Sequence, residues 1–136
     1  MLVQVELSRI IIDEKRQDQI IVLKEKDGER QFPIVIGFLE ASSIKMKLSG
    51  LEVPRPMTHD LLVAVVHGLG AEIKRLIIDK LEENTFHAKL ELKKGSEKVK
   101  KIDCRPSDGV AVAVRAGCSI FVDEEVLKQA AISKNT

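Results

Sequence analysis

The sequence predicts an α+β domain: mixed, largely antiparallel strand meanders packed with about four helices. Three observations lead there. Apolar and polar residues alternate in the opening stretch and again, most cleanly, over residues 86–93, the mark of half-buried strands. Other runs carry their apolar residues at helical spacing. The strand runs cluster together instead of each alternating with a helix, which disfavours a parallel α/β sheet. A chain of 136 residues suits one domain, expected over residues 1–132 with a polar tail at 133–136.

In chain order, Val3, Val5 and Leu7 alternate with Gln4, Glu6 and Ser8 as a first strand. Ile10 and Ile12 then change parity, predicting a bulge near Arg9. A second strand covers "QIIVLKE", and Asp27-Gly28 predicts a tight hairpin turn with positive φ at both central positions. The returning strand "RQFPIVIG" contains Pro33, which lacks a ladder donor and so belongs at an edge or bulge. "FLEASSIKMKLSG" repeats Ala41, Ile44 and Leu48 at helical spacing and stops at Gly50. A second helix starts at Thr58 with an apolar stripe of Leu61, Leu62, Val65, Val66 and Leu69. Three strands follow, with turns at Glu83-Asn84 and Gly95-Ser96. The middle one places Phe86, Ala88, Leu90 and Leu92 inward, with His87, Lys89, Glu91 and Lys93 outward. "SDGVAVAVRAG" is apolar nearly all round and predicts the most buried helix. "SIFV" is a short last strand, and "DEEVLKQAAI" a final amphipathic helix with acids in its first turn.

Composition narrows the function classes. Lysines and arginines number 22 against 21 acids, a net charge of +1, so polyanion binding has to come from local clustering. The charged fraction of 32% resembles a heat-adapted surface. Cys104 and Cys118 fit neither a metal spacing nor a disulfide framework, and are expected as buried free thiols in a reducing, cytoplasmic setting. No apolar run approaches the ~20 residues of a membrane span, and the N-terminus lacks the form of a signal peptide. With no Trp or Tyr and four Phe, an aromatic platform for single strands is not expected. "GLGA" at 68–71 follows a helix and precedes a strand, the wrong order for a dinucleotide fingerprint. Ser42-Ser43 has no nucleophile-elbow context.

Two stretches carry the chemistry. "VPRPMTHDLL" (53–62) and "DCRPSDGVAVAV" (103–114) each place Arg-Pro, a hydroxyl and an aspartate before a hydrophobic helix. Capping accounts for part of this: Thr58 and Ser107 suit N-cap positions, and Asp60 and Asp108 suit the positive end of the helix dipole. Capping does not account for Arg55, Arg105 or His59. An arginine ahead of a helix start lies where free amides attract anions, and its fork matches phosphate. The competing reading is a crossed pair of salt bridges, Arg55 with Asp108 or Arg105 with Asp60. Glu40, in the first turn of its helix, joins Asp60 and Asp108 as an acid that with His59 could serve phosphodiester hydrolysis. A divalent cation such as Mg is possible there, although no recognised metal motif is present and the metal is unknown. His59 itself also reads as a solvent-exposed first-turn residue, and His87 as a solvated sheet residue. The lysine-rich run "KLELKKGSEKVKK" (89–101) could guide a nucleic-acid backbone, or simply keep a hairpin soluble.

"IGFLEASSI", "PRPMTHDLL", "TFHAKLEL", "DCRPSDGVAVAVR" and "IFVDEEVL" together resemble the successive blocks of the bifunctional nuclease family. The resemblance implies a compact α+β domain that self-associates, as a homodimer or higher homo-oligomer, and cleaves both DNA and RNA. It carries Glu40, His59, Asp60 and Asp108 over as candidate catalytic residues, and Arg55, Thr58, Arg105 and Ser107 as candidate substrate-binding residues. Gly109 departs from the alanine usual in the family. Two functions follow as expectations. One is a nuclease with little sequence preference. The other is a non-catalytic, self-associating binding or regulatory domain whose Arg-Pro blocks are internal struts.

Overall fold

The computed structural model of the chain describes residues 1–13, 15 and 17–131, so the tail expected from residue 133 lies outside the described residues. Three strands come first: β1 (Leu2–Ile11), β2 (Asp18–Glu25) and β3 (Gln31–Gly37). Two helices follow, α1 (Phe38–Leu48) and α2 (Thr58–Gly68), then β4 (Glu72–Glu82), β5 (Thr85–Lys93) and β6 (Lys100–Cys104). The chain continues into α3 (Pro106–Ala116), β7 (Ser119–Asp123) and α4 (Glu124–Ala130). All seven strands form one sheet in the order β3-β2-β1-β7-β4-β5-β6. Among the described residues, only β4 and β7 pair in parallel. The predicted α+β class, mixed and largely antiparallel with four helices, is what the structure shows.

The N-terminal meander and the β4–β6 meander are hydrogen-bonded into one sheet through β7, which α3 delivers between β1 and β4. The sheet then curls around α3. Phe32 of β3 and Phe86 of β5 lie far apart in strand order, yet their ring centroids are 5.6 Å apart. Inside the curl, Val110, Ala111 and Ala113 of α3 pack against Leu76, Ile78, Ile21 and Leu23 in one hydrophobic core. Burying a side chain such as Val110 stabilises the fold by about 1.5–3 kcal/mol. Gly109 permits this approach: a Cβ there would stand 2.5 Å from Leu76 Cδ1 and 3.2 Å from Cys104 Sγ.

The bulge predicted near Arg9 is present between Leu7 and Arg9, and Pro33 lies on the edge strand β3. Four local expectations are corrected. Asp27-Gly28 is not a two-residue turn: the connection runs from 26 to 30, closed by the Glu25 N–H donating to Arg30 O at 2.9 Å, and Gly28 is not among the positive-φ residues. The two-residue turn with both φ positive is Glu83-Asn84, at 49° and 64°. Glu91, expected outward on β5, is buried because Arg75 on β4 folds over it, Nε to Oε1 2.7 Å. The cysteines are free but only half-buried, at the sheet end and after α3.

The fourth correction concerns α2. Its apolar stripe does not enter the core; Leu61, Leu62, Val65 and Leu69 are all exposed, and His59 is its one buried residue. No helix among the described residues is long and apolar enough to cross a membrane.

Candidate functional site

Three helices bring the candidate residues together. Glu40 stands in the first turn of α1, and Gly37 just before the helix leaves room for it, since a Cβ there would collide with the Glu40 carboxylate. Helix α2 begins at its expected cap, Thr58, one residue early. Met57 holds the N-cap position, and its backbone N–H donates to Asp60 Oδ2 at 2.9 Å. Likewise Arg105, not Ser107, caps α3, with Pro106 next and Ser107 buried. Both hydroxyls are therefore displaced from capping, because each proline-bearing loop enters its helix one or two residues early. The two aspartates keep their first-turn places.

His59 is the hinge of the cluster. Contrary to a solvent-exposed reading, it is 7% exposed. Its Nδ1 lies 2.8 Å from Ser43 Oγ on α1, and its Nε2 lies 3.0 Å from Asp108 Oδ1 on α3. The other Asp108 oxygen accepts from Arg105 Nε at 2.9 Å, and Arg105 Nη2 reaches Glu40 Oε1 at 2.8 Å. The result is one hydrogen-bonded chain, Ser43–His59–Asp108–Arg105–Glu40, joining all three helices. Burial pushes the Asp108 carboxyl up, but the bonds from His59 and Arg105 outweigh it and hold it below its usual value. Asp108 and Glu40 in turn raise the Arg105 guanidinium. That side chain nonetheless remains 67% exposed.

Asp60 belongs to a second set. Its partner is Arg115, Nε to Oδ1 2.8 Å, on the last turn of α3. Arg115 also donates to the carbonyls of Ala111 at 3.0 Å and Ser43 at 3.1 Å. With its side chain only 5% exposed, Arg115 ties α1, α2 and α3 together. The Met57 N–H first, and Arg115 after it, hold the Asp60 carboxyl below its usual value despite burial. The expected crossed bridges are thus not formed: Arg105 pairs with Asp108 and Glu40, and Asp60 with Arg115. Arg55 is exposed and lines a different cleft, of about 470 Å³, with Lys47, Asp60 and Arg115. The helix starts converge, whereas the two Arg-Pro guanidinium groups face separate clefts.

Ser43, set aside in the sequence for want of a nucleophile-elbow context, belongs to the hydrogen-bonded chain, and Arg115 escaped sequence reasoning. A signal existed for Ser43: Glu40, Ser43 and Lys47 fall at i, i+3 and i+7 on α1, a polar stripe beside the buried Ala41 and Ile44. Arg115 gave none beyond sitting in a helix's last turn.

Two clefts open on the chain of hydrogen bonds. One, about 310 Å³, is lined by Glu40, Ser43, Thr58, His59, Arg105 and Asp108 with Leu39 and Met57 at its rim. The other, about 510 Å³, shares Thr58, His59, Arg105 and Asp108 and continues over apolar Leu62, Val66, Ile73, Leu90, Leu92 and Ile102. Ser107 lines a further hollow beside Arg105 and Phe86. A divalent cation does not fit this donor set. The Arg105 guanidinium already stands between the Glu40 and Asp108 carboxylates, and no three His, Cys, Asp or Glu among the described residues are grouped to hold a metal.

The fold and site define a class: a curled-sheet α+β domain with an acid-and-arginine cluster where three helix faces meet. Comparison with known proteins places it. The sequence profile of the bifunctional nuclease domain matches residues 21–135, and the chain belongs to that family. An uncharacterized protein of Mycobacterium tuberculosis is 38% identical over 129 residues, covering 95% of this chain and 76% of the relative. Bifunctional nuclease 2 of Oryza sativa subsp. japonica is 28% identical over 114 residues, covering 82% of this chain and 35% of that protein. Bifunctional nuclease 1 of Arabidopsis thaliana is 26% identical over 107 residues, 76% of this chain and 33% of that protein.

Proposed function

We propose that this domain hydrolyses phosphodiester bonds of DNA and RNA with little sequence preference, at the cleft where α1, α2 and α3 meet. The observation that carries the reading is an arginine two-thirds exposed to solvent, held beside a buried histidine and the half-buried aspartate bonded to it. The Arg105 fork binds a phosphate oxygen pair and stabilises the charge that develops at phosphorus. Glu40 and Asp108 aim that fork, and Asp108 also orients His59 for proton transfer. The exposed Thr58 and the first-turn amides of α2 and α3 supply further donors, with Ser107 packing the start of α3. Asp60 works indirectly, by fixing α2 through Arg115. Arg55 and Lys47, in the neighbouring cleft, hold the next stretch of backbone. The 94–99 loop and its flanking lysines guide the strand inward. Little base discrimination is expected, since these are phosphate contacts.

The test is cleavage of single-stranded DNA and RNA by homogeneous protein, each used to inhibit cleavage of the other. One shared site predicts mutual competition; cleavage of neither opposes the reading.

A second reading has its own support. The open apolar face of α2 favours self-association, as a homodimer or higher homo-oligomer, because soluble monomers rarely expose such a patch without covering it. A binding or regulatory domain built this way would need no catalysis.

A further inference from the structure

We infer that Ser43 is the nucleophile of this site and that phosphodiester cleavage passes through a covalent phosphoserine on α1. The inference rests on the nuclease reading for its substrate and on geometry for the residue. Both ring nitrogens of His59 are engaged by protein atoms, Nδ1 by Ser43 Oγ at 2.8 Å and Nε2 by Asp108 Oδ1 at 3.0 Å. The ring is also buried, so while Ser43 Oγ holds Nδ1 a water molecule has no free nitrogen to approach; Nδ1 is released once Oγ is bonded to phosphorus. The proton that His59 is placed to accept is the one on Ser43.

A serine in the middle of a helix ordinarily satisfies its hydroxyl on the carbonyl one turn back. Here the hydroxyl reaches across to a neighbouring helix and lines the 310 Å³ cleft beside Arg105. Serine, histidine and aspartate in series, the acid fixing the ring with its far nitrogen protonated, is the arrangement that activates a hydroxyl. Arg115 holds the Ser43 backbone carbonyl at 3.1 Å, so the nucleophile is fixed from behind as well.

The step balances as follows. Ser43 Oγ attacks phosphorus while its proton passes to His59 Nδ1. The bond from phosphorus to one nucleotide oxygen breaks, and that oxygen takes the proton from His59. Water then gives a proton to His59 and attacks phosphorus, the Oγ–P bond breaks, and Oγ regains the proton. A diester and water become a monoester and an alcohol, with no change of oxidation state.

The experiment treats the full chain with diisopropyl fluorophosphate and maps the adduct by intact mass and peptide sequencing. In parallel, cleavage of a labelled oligonucleotide is quenched in acid and run on a denaturing gel. One adduct per chain on Ser43 is expected, with a protein-linked oligonucleotide in the quenched reaction. His59→Gln should slow both by at least about 100-fold. Ser43→Ala should abolish both, and Ser43→Cys should keep the covalent oligonucleotide; circular dichroism and melting confirm that each variant folds. Undiminished cleavage by folded Ser43→Ala overturns the nucleophile and leaves the nuclease reading standing. A Ser43 adduct in a protein that cleaves no nucleic acid supports the nucleophile and overturns the substrate.

Discussion

At the scale of single residues, His59 and Gly109 show how context changes meaning. A histidine in the first turn of a helix is ordinarily solvated. His59 is buried because α2 starts against α1 and α3 while the rest of the helix stands clear of the core. Nothing in the spacing of its own segment announces that. At Gly109, Leu76 and Cys104 crowd the space where a Cβ would sit. Gly109→Ala should gain helix propensity of about 1 kcal/mol, yet lose more by overpacking the fully buried Leu76. A net loss of about 1–2 kcal/mol in urea unfolding is expected. Asp60 and Asp108 both have folded values below their usual 3.8. Their contribution to stability is present above that value and is lost as pH falls through the lower folded values. Acid melting curves should therefore decline steeply below pH 3.8, and Asp60→Asn should flatten part of that decline. An unchanged slope would mean that the Met57 and Arg115 bonds do not hold in solution.

At the scale of elements, periodicity made most of the fold legible. The strands, the buried α3, the bulge after Leu7 and the edge position of Pro33 all followed from alternation, helical spacing or a missing donor. Turn chemistry was less faithful. Asp27-Gly28 has the composition of a tight turn, but the five-residue loop is shaped by Arg30, which bonds both Glu25 and Glu124 of α4. A partner 94 residues away cannot be read from a dipeptide. The tight turn is Glu83-Asn84, where Asn84 takes a left-handed conformation. Asn84→Val should cost about 1–2 kcal/mol in equilibrium unfolding, and Asn84→Gly should be near neutral. Helix α2 was misjudged differently: an amphipathic stripe tells which residues seek cover, not whether the same chain provides it. Placing charge on that stripe, as in Leu61→Glu with Val65→Glu, should reduce the sedimenting species to a monomer and leave the far-UV spectrum unchanged. Identical sedimentation of wild type and variant would remove self-association through this face.

For the whole molecule, the arrangement of the site depends on the curl of the sheet. Because β7 joins the two meanders and α3 fills the curl, the starts of α2 and α3 are brought onto α1, and the acids and Arg105 gather there. The sequence predicted the residue types of that gathering but not its pairings. Arg55 and Arg105 have equivalent local motifs, and only the packing of α2 across α3 sends them to different clefts. That asymmetry separates their roles: Arg55 should govern how tightly a strand is held, and Arg105 how fast it is cut. The most direct measurement is steady-state cleavage of a fluorescent oligonucleotide by Arg105→Ala and by Arg55→Ala, each shown to be folded. Arg105→Ala should lose about 100-fold or more in kcat, whereas Arg55→Ala should raise KM with kcat nearly intact. Equal losses in both variants, or full activity in Arg105→Ala, would contradict the assignment of the three-helix cleft as the site of chemistry.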